Sequence, residues 1–425
     1  MSDTESGAID YVIRVHGDPS EIDAKAWNEL LAAHPERLPF LRHEFLRALH
    51  DTGCATAHTG WAPAFITLSR HGRLAGAVAA YLKTHSYGEY VFDWAWADAY
   101  QRHGLDYYPK LLAAVPFTPV PGARLLAHTA ADRWLLARAL RSLAIQNELS
   151  SAHLLFGLDD DVEAAQADGW MVRHGVQFHW RNRAETPFAG FAEFLAALQR
   201  EKRKKIQQER RRVTEAGIEF QVREGAAITE ADWRFFHRCY SLTYRAHGST
   251  PYLNLPFFLQ VARELPEHWL MFIAHRDGRP IAASLVAIDR ERRWAWGRYW
   301  GATEEVPFLH FEACYYQPLQ WCIEQQFLCF EGGAQGEHKM ARGLTPEPTR
   351  SAHWLAHPQF ARAVEDFLAR EGQGMASYLD ELRERNPFKN SPTGAGEQRS
   401  PDAPAAARPD EPSAATGTSS EPSSV

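Results

Sequence analysis

WLMFIAHRDGRPIAASLVAIDRERRWAWGRYW, running from Trp269 to Trp300, decides the fold. Trp269 to Ala274 is an apolar run, Arg276-Asp277-Gly278 reads as a turn, and Pro280 to Asp289 is a second apolar run, which together predict a β-hairpin. Arg293 to Trp300 adds a third strand. The first half of the chain uses the same grammar. Pro63 to Ser69, the His71-Gly72 turn and Arg73 to Leu82 predict a hairpin, and Glu89 to Trp96 (EYVFDWAW) alternates its aromatics as a third strand would. Trp94-Ala95-Trp96 mirrors Trp294-Ala295-Trp296, and in both halves helix precedes the meander and more helix and strand follow it. One duplicated α+β unit accounts for this pattern, so the expected fold is α/β with mixed sheets.

Outward from the meanders, helices are expected at Ile22 to His34, Pro39 to His50, Tyr107 to Val115, Arg133 to Asn147 and Asp161 to Gly169, with a strand at Ser151 to Gly157. In the second half, Phe191 to Ala216 reads as one long helix stopped by Gly217. A strand at Ile218 to Val222, helices at Glu230 to Ala246 and Phe308 to Gln326, and a buried strand end at Cys329-Phe330-Glu331 follow. From Ser391 the chain has no aromatic residue, and its apolar side chains are alanines and Val425; such a segment cannot offset its ordering entropy and is expected to be a disordered tail. The division is therefore 10–184, 185–390 and 391–425.

Composition removes several classes of function. With 46 Lys+Arg against 53 Asp+Glu the net charge is -7, which argues against a DNA coat. Five cysteines with no CxxC pair support neither a disulfide framework nor a zinc ribbon, and no metal site is expected. The richest apolar run, AGAVAAYL at Ala75 to Leu82, is far short of the ~20 residues of a membrane span. The acidic start MSDTESGAID has no apolar core of a signal peptide, so a soluble cytoplasmic protein is expected.

The densest chemistry lies at Glu331 to Gly343, EGGAQGEHKMARG, directly after a strand end. Gly333 and Gly336 let backbone N–H groups approach a ligand, and Gln335 sits between them. Lys339 and Arg342 are suited to phosphate or carboxylate, and Glu337 or His338 to taking a proton from an attacking amine. His353, in Ser351-Ala352-His353-Trp354, is a second candidate base. His310, Glu312 and Tyr316 are polar groups in an apolar stretch that opens a helix. Arg200, Lys202 to Lys205 and Arg210 to Arg212 exceed Glu201 and Glu209 by six charges, and their concentration in an acidic chain favours a polyanion, whether RNA, a nucleotide cofactor or an anionic lipid head group. Tyr252, Trp296 and Arg298 belong to aromatic segments suited to a substrate groove, and Asp93 is a candidate buried carboxylate.

FDWAWADAY (Phe92 to Tyr100), QFHW (Gln177 to Trp180), the KRKKI helix, LHFEACYY (Leu309 to Tyr316), GAQGEHKMARG (Gly333 to Gly343) and SAHW (Ser351 to Trp354) together resemble a bacterial family of predicted N-acyltransferases. This is the FemAB-like family of peptidoglycan biosynthesis/recognition proteins within the GNAT superfamily, and the resemblance spans about Asp10 to Asn390. It implies two GNAT-like domains in tandem and transfer of an acyl or aminoacyl group to an amine. The implied donor is acyl-CoA, or aminoacyl-tRNA as in Fem-type peptidyl transferases, and the acceptor a small molecule or muropeptide. For such a transfer Glu337, His338 or His353 is expected to supply the base, and the Gly332 to Gly336 backbone and Tyr316 to make oxyanion or substrate contacts. The loop from Gly333 through Gln335, Gly336, Lys339 and Arg342 holds the donor together with Lys204 and Lys205, through which tRNA would bind. Trp296, Arg298, His310, Glu312 and Tyr252 contact substrate. A non-catalytic module binding cell-wall fragments or a protein is the reading from another class.

Overall fold

The computed structural model describes residues 11–183, 185–333 and 336–389. The tail expected from 391 and the candidate Gln335 lie outside the described residues. The first half contributes strands β1 (Tyr11–His16), β2 (Trp61–Pro63), β3 (Phe65–Arg70), β4 (Arg73–Val78), β5 (Ala80–Lys83), β6 (Lys110–Ala113), β7 (Leu126–Ala127), β8 (Ser151–Leu154) and β9 (Met171–Arg181). Its helices are α1 (Ala24–Ala32), α2 (His43–Asp51), α3 (Trp94–Arg102), α4 (Ala130–Gln146) and α5 (Asp159–Ala167). The second half adds α6 (Phe191–Ala197), α7 (Arg200–Glu215), β10 (Ile218–Glu224), α8 (Glu230–Ala246), α9 (Leu255–Glu264), β11 (Trp269–Arg276), β12 (Arg279–Asp289) and β13 (Trp294–Ala302). It ends with α10 (Leu309–Phe311), a π-helical turn at Glu312–Tyr316, α11 (Gln317–Glu324), β14 (Cys329–Glu331), β15 (Thr345–Leu355) and α12 (Pro358–Glu384).

The duplication is written into backbone register. Both hairpins turn on two residues with positive φ, His71-Gly72 at 50° and 75° and Asp277-Gly278 at 51° and 72°, the geometry that matches strand twist in a two-residue turn. Both ladders then skip one residue at the same distance from the turn. Ser69 faces Leu74 and Leu68 faces Gly76, leaving Ala75 unpaired; His275 faces Pro280 and Ala274 faces Ala282, leaving Ile281 unpaired. A preceding strand lines each hairpin in matching register, Tyr11 opposite Arg70 and Ile218 opposite Arg276.

The strands form a sheet ordered β1-β3-β4-β7 and an eleven-stranded sheet ordered β10-β11-β12-β13-β14-β9-β15-β8-β6-β5-β2. Antiparallel β9 and β15 sit at the centre of the larger sheet. Outward from them, β14 and β8 lead to the parallel pairs β13·β14 and β6·β8. The first half's β9 borders the second half's β14, and the second half's β15 borders the first half's β8. The 184/185 boundary thus divides the chain but not the sheet, because the two halves have exchanged strands. Pro346 and Pro348 are tolerated in β15 because β8 pairs only with Ala352 to Leu355, so their missing N–H groups fall on an unpaired edge.

Both faces of the β11–β12 hairpin are covered. Met271, Ile273, Leu285 and Ala287 enter one buried cluster, while Leu270, Phe272, Val286 and Ile288 enter another. The first cluster crosses between halves, with the Phe45 ring 5.4 Å from Phe257 and Phe40 5.7 Å from Trp296. Burying such rings dominates core energetics, so the halves are joined by hydrophobic packing as well as by the sheet.

Several local expectations are corrected. Glu89 to Trp96 is not a strand: residues 84–93 form a loop and α3 begins at Trp94, so Trp96 and Tyr100, four residues apart, are buried together on one helix face. The two Trp-Ala-Trp segments therefore occupy unlike structures. Tyr107 to Val115 is not a helix but carries β6, whose Leu111, Leu112 and Ala113 are fully buried; a short apolar run has no periodicity to tell the two apart. The long helix at 191–216 is two helices, broken where Leu198 and Gln199 adopt extended ψ values of 154° and 146° and Leu198 bridges to Phe388.

Candidate functional site

The ladder joining β13 to β14 covers only Trp294 to Trp296 against Cys329 to Glu331, after which the strands part. Beyond that point β13 follows β12 alone, with a bulge at Arg298 because Val286 faces Gly297 while Leu285 faces Tyr299. A Cβ on Gly297 would stand 3.2 Å from the Phe330 ring and 3.3 Å from the Glu331 carbonyl, so glycine lets the strands close just before they separate. The gap opens into a cavity of about 230 Å³ between Gly297 to Trp300 on one side and Gly332, Gly333, His338 and Lys339 on the other. His310, Cys314 and Tyr315 form its floor, and Tyr90 and Pro119 reach in from the first half.

The electrostatics of this cavity are set by burial. Lys339 is 3% exposed, donates from Nζ to the Gly333 carbonyl at 2.8 Å, and is pulled by desolvation to about 7 against the opposing pull of Glu331. Desolvation pushes the Glu331 carboxyl up to about 8, with Arg298 opposing. His310 is lowered to about 4 by burial and by the neighbouring His338, Arg342 and Lys339 charges, and burial lowers His338 as well, so both imidazoles are neutral at pH 7. His338 lies against Gly336, whose φ is 119° and whose added Cβ would stand 2.4 Å from the ring, so this position requires glycine. Its Nε2 faces the Tyr315 hydroxyl at 3.4 Å.

Of the residues singled out from sequence, Gly333, His338, Lys339, His310 and Arg298 line this one cavity. Others are placed elsewhere. The Tyr316 hydroxyl is buried and donates to Glu209, which removes it as an oxyanion contact. Arg342 is 2% exposed, bonds Glu209 at 3.2 Å, donates to the His338 carbonyl at 2.7 Å and stacks on Phe311, so it braces the loop and does not clamp an anion. Glu312 is occupied by Arg210 and Gln317. Trp296 is core, and Tyr252 stacks on Phe117 at 4.7 Å outside the cavity. Glu337 lies on a different cavity, where Tyr378 donates to it and Arg385 pairs with it. His353 is wholly buried, its Nδ1 2.8 Å from His153 Nδ1, and does not line this cavity. Lys204 and Lys205 are exposed on α7, with Lys205 close enough for its charge to lower His338. Cys314 reaches the cavity, but burial pushes its thiol far up, so it offers no thiolate.

A second cavity, about 380 Å³, lies over β9 and β15 beside α12, with Tyr90 bordering both cavities. Gly336, Glu337 and Ser351 line it, and Arg173 forms a two-pronged pair with Glu371 of α12 at 2.8 and 2.7 Å on its wall. Sequence reasoning passed over Tyr90, Glu331 and the pairing of His153 with His353. A signal for the last was present: Ser151-Ala152-His153 recurs as Ser351-Ala352-His353, and β8 and β15 set the two histidines directly opposite each other.

Among the described residues no helix is long and apolar enough to cross a membrane. A sequence model of the FemAB-like family, described as peptidoglycan biosynthesis/recognition, matches residues 18–390. No curated protein matches the chain. Among solved structures, FemX is similar at 11% identity, covering 81% of this chain and 98% of its own, with a TM-score of 0.51. L-PGS from Bacillus licheniformis is similar at 11% identity, 84% and 99% coverage and a TM-score of 0.51. At these identities the likeness speaks for the fold alone, a mixed α/β fold built on the doubled hairpins.

Proposed function

The chain belongs to the FemAB-like family of peptidoglycan biosynthesis/recognition proteins, and on that premise we propose that it is an N-acyltransferase whose reaction takes place where β13 and β14 part. The observation that carries the reading is the meeting, in one cavity at a strand parting, of unpaired backbone, a buried lysine and neutral imidazoles. The donor carbonyl enters the gap. Beyond Trp296, among the described residues, no strand pairs the gap-facing edge of β13, so its backbone N–H groups are placed to meet that oxygen. Lys339 is poised near neutrality beside the same space, and its ammonium form stabilises the oxyanion as the amine attacks. His338, a neutral imidazole, takes the proton that the attacking nitrogen sheds after bond formation and returns it to the thiol or hydroxyl that leaves as the donor's acyl bond breaks.

The larger cavity suits the acceptor, a muropeptide amine, with Tyr90 at the border between the two sites. Exposed Lys204, Lys205, Arg211 and Arg212 on α7 flank the loop that carries Lys339 and suit the phosphates of either acyl-CoA or aminoacyl-tRNA. The test begins with donor binding, by thermal shift against coenzyme A thioesters and by filter binding of aminoacyl-tRNA. A donor at a hundred times its Kd adds ~2.7 kcal/mol of stability. With the donor that binds, Lys339→Met is expected to lower kcat by about 10²–10³-fold, the loss typical of one oxyanion contact. Full transfer by both Lys339→Met and His338→Ala would refute the proposal.

A further inference from the structure

The charges around the smaller cavity are of one sign. Lys339 and Arg298 line it together with His310 and His338, and among the described residues that line it there is no carboxylate. Among the described residues neither cation pairs with a carboxylate. Lys339 donates to the Gly333 carbonyl and Arg298 to the Phe117 carbonyl, each at 2.8 Å, and Arg298 Nε is buried without a partner. Lys205 adds its charge from α7, close enough to lower His338. Glu331, buried one residue before Gly332, is pushed up to about 8 by desolvation, so it is mostly uncharged at pH 7.

The rings of this cavity do not stand in for the missing carboxylate. A cation can rest on an aromatic face, but basic groups and imidazoles already lie against these rings. The Arg298 guanidinium is 5.1 Å from the Tyr299 ring centre, His310 packs on Trp300 at 5.0 Å, and Tyr315 meets His310 and His338 edge-on at 5.8 and 6.1 Å. Leu285, Val286 and the neutral Cys314 thiol supply apolar surface. An ammonium drawn into this space would exchange its hydration for two like charges, whereas a hydrocarbon chain loses nothing by entering. An apolar cavity of about 150 Å³ holds benzene, so 230 Å³ has room for a short acyl chain with its carbonyl. The larger cavity differs in kind. Glu337 and Glu371 line it, and its arginines are matched, Arg173 by Glu371 and Arg350 by Asp159 at 3.0 Å.

We propose that the smaller cavity admits an acyl group that carries no ammonium, so that charge sorts the two substrates, the amine to the larger cavity and the acyl group to the smaller. This rests on the reading of the strand parting as the site of transfer. The amine nitrogen bonds the acyl carbon, and the bond from that carbon to the carrier's sulfur or oxygen breaks. The proton shed by the nitrogen passes through His338 to that sulfur or oxygen. Lys339 and Arg298 act on the choice of acyl group through their charge, before any bond changes. A donor whose acyl group is an amino acid with a free ammonium is thereby disfavoured, whatever carrier α7 holds by its phosphates.

The test compares butyryl- and β-alanyl-coenzyme A, which have the same length and differ by a terminal methyl against a terminal ammonium. Both are titrated calorimetrically into the full-length protein at pH 6.5, where Lys339 is mostly protonated. The butyryl thioester is expected to bind ~10²-fold more tightly, the joint effect of desolvating the ammonium and of repulsion by two cations. Lys339→Met and Arg298→Met are each expected to narrow that ratio about tenfold, which separates repulsion from a plain preference of the cavity for hydrocarbon. Equal Kd values for the two thioesters, a ratio unchanged in both variants, or tighter binding of phenylalanyl-tRNA than of the same tRNA uncharged would overturn the proposal. Equal Kd values in an enzyme whose transfer still depends on Lys339 would remove the charge sorting alone. Binding of neither thioester, with no gain from charging the tRNA, would remove the transferase reading and this inference with it.

Discussion

Replacing Lys339 by methionine is expected to stabilise the protein at neutral pH and destabilise it at high pH. Lys339 falls from 10.5 in the unfolded chain to about 7 in the fold. Below pH 7 both states are protonated, and the fold carries the full penalty of a buried ammonium. Between pH 7 and 10.5 the unfolded chain binds the extra proton, so wild-type stability rises with pH by ~5 kcal/mol at ~1.4 kcal/mol per unit. Methionine removes the penalty but leaves the Gly333 carbonyl without its 2.8 Å donor, a loss of ~1–3 kcal/mol. Lys339→Met should therefore be more stable by ~2–4 kcal/mol at pH 6.5 and less stable by ~1–3 kcal/mol above pH 10.5, crossing over between pH 8 and 10 by this linkage. With melting entropy near ~2.1 cal/mol/K per residue, each kcal/mol moves Tm by ~1 °C in a chain of this size. Urea unfolding followed by tryptophan fluorescence at half-unit pH steps gives the better resolution. A wild-type-to-variant difference that stays flat from pH 6.5 to 10.5 would refute the argument, because it would mean that Lys339 titrates alike in both states.

Three further outcomes are expected. If aminoacyl-tRNA is the donor that binds, reversing charge in Lys204→Glu/Lys205→Glu should flatten the salt dependence of its binding by about one unit of slope per lost phosphate contact between 50 and 200 mM salt, and an unchanged slope would exclude α7 from the contact. Arg342→Met leaves the Glu209 carboxylate buried with Tyr316 alone and should lose ~3–5 kcal/mol in urea; a loss under ~1 kcal/mol would show that the pair does not brace the loop. Gly301→Ala sets a Cβ 2.1 Å from the Cys239 carbonyl oxygen of α8, so α8 must shift off β13 at ~1–3 kcal/mol, and a Tm equal to wild type would contradict this close approach.

What the sequence made legible was local. His71-Gly72 and Asp277-Gly278 announce their hairpins because few residue pairs accept positive φ at both turn positions. Gly333, His338 and Lys339 fall within seven residues, so their meeting needs no knowledge of the fold. Legibility failed where partners are distant. Tyr316, Glu312 and Arg342 looked like polar groups in need of a ligand, but Glu209 and Arg210, more than a hundred residues earlier, already satisfy them. His353 looked like a free base, and its partner lies 200 residues away. The segment Glu89 to Trp96 alternates as a strand does, yet Lys110 draws Glu89 and Asp93 inward together, and the chain winds into a helix at Trp94. Charge pairing overrode the local pattern.

The exchange of β9 and β15 also bears on ancestry. A single unit lacking its twin would be left without a strand beside β14 or β8, a gap that a second identical copy fills. The present chain thus has the form of a strand-swapped homodimer whose two subunits were joined end to end. Fusion frees twin sites to drift apart, and they have done so. Past the parallel pair β13·β14 the strands enclose a cavity lined by Lys339 and His338, whereas past β6·β8 the chain runs into Val115, Phe117, Leu155 and Phe156, all packed into the main core. One opening remains a cavity, and its counterpart is filled with hydrocarbon.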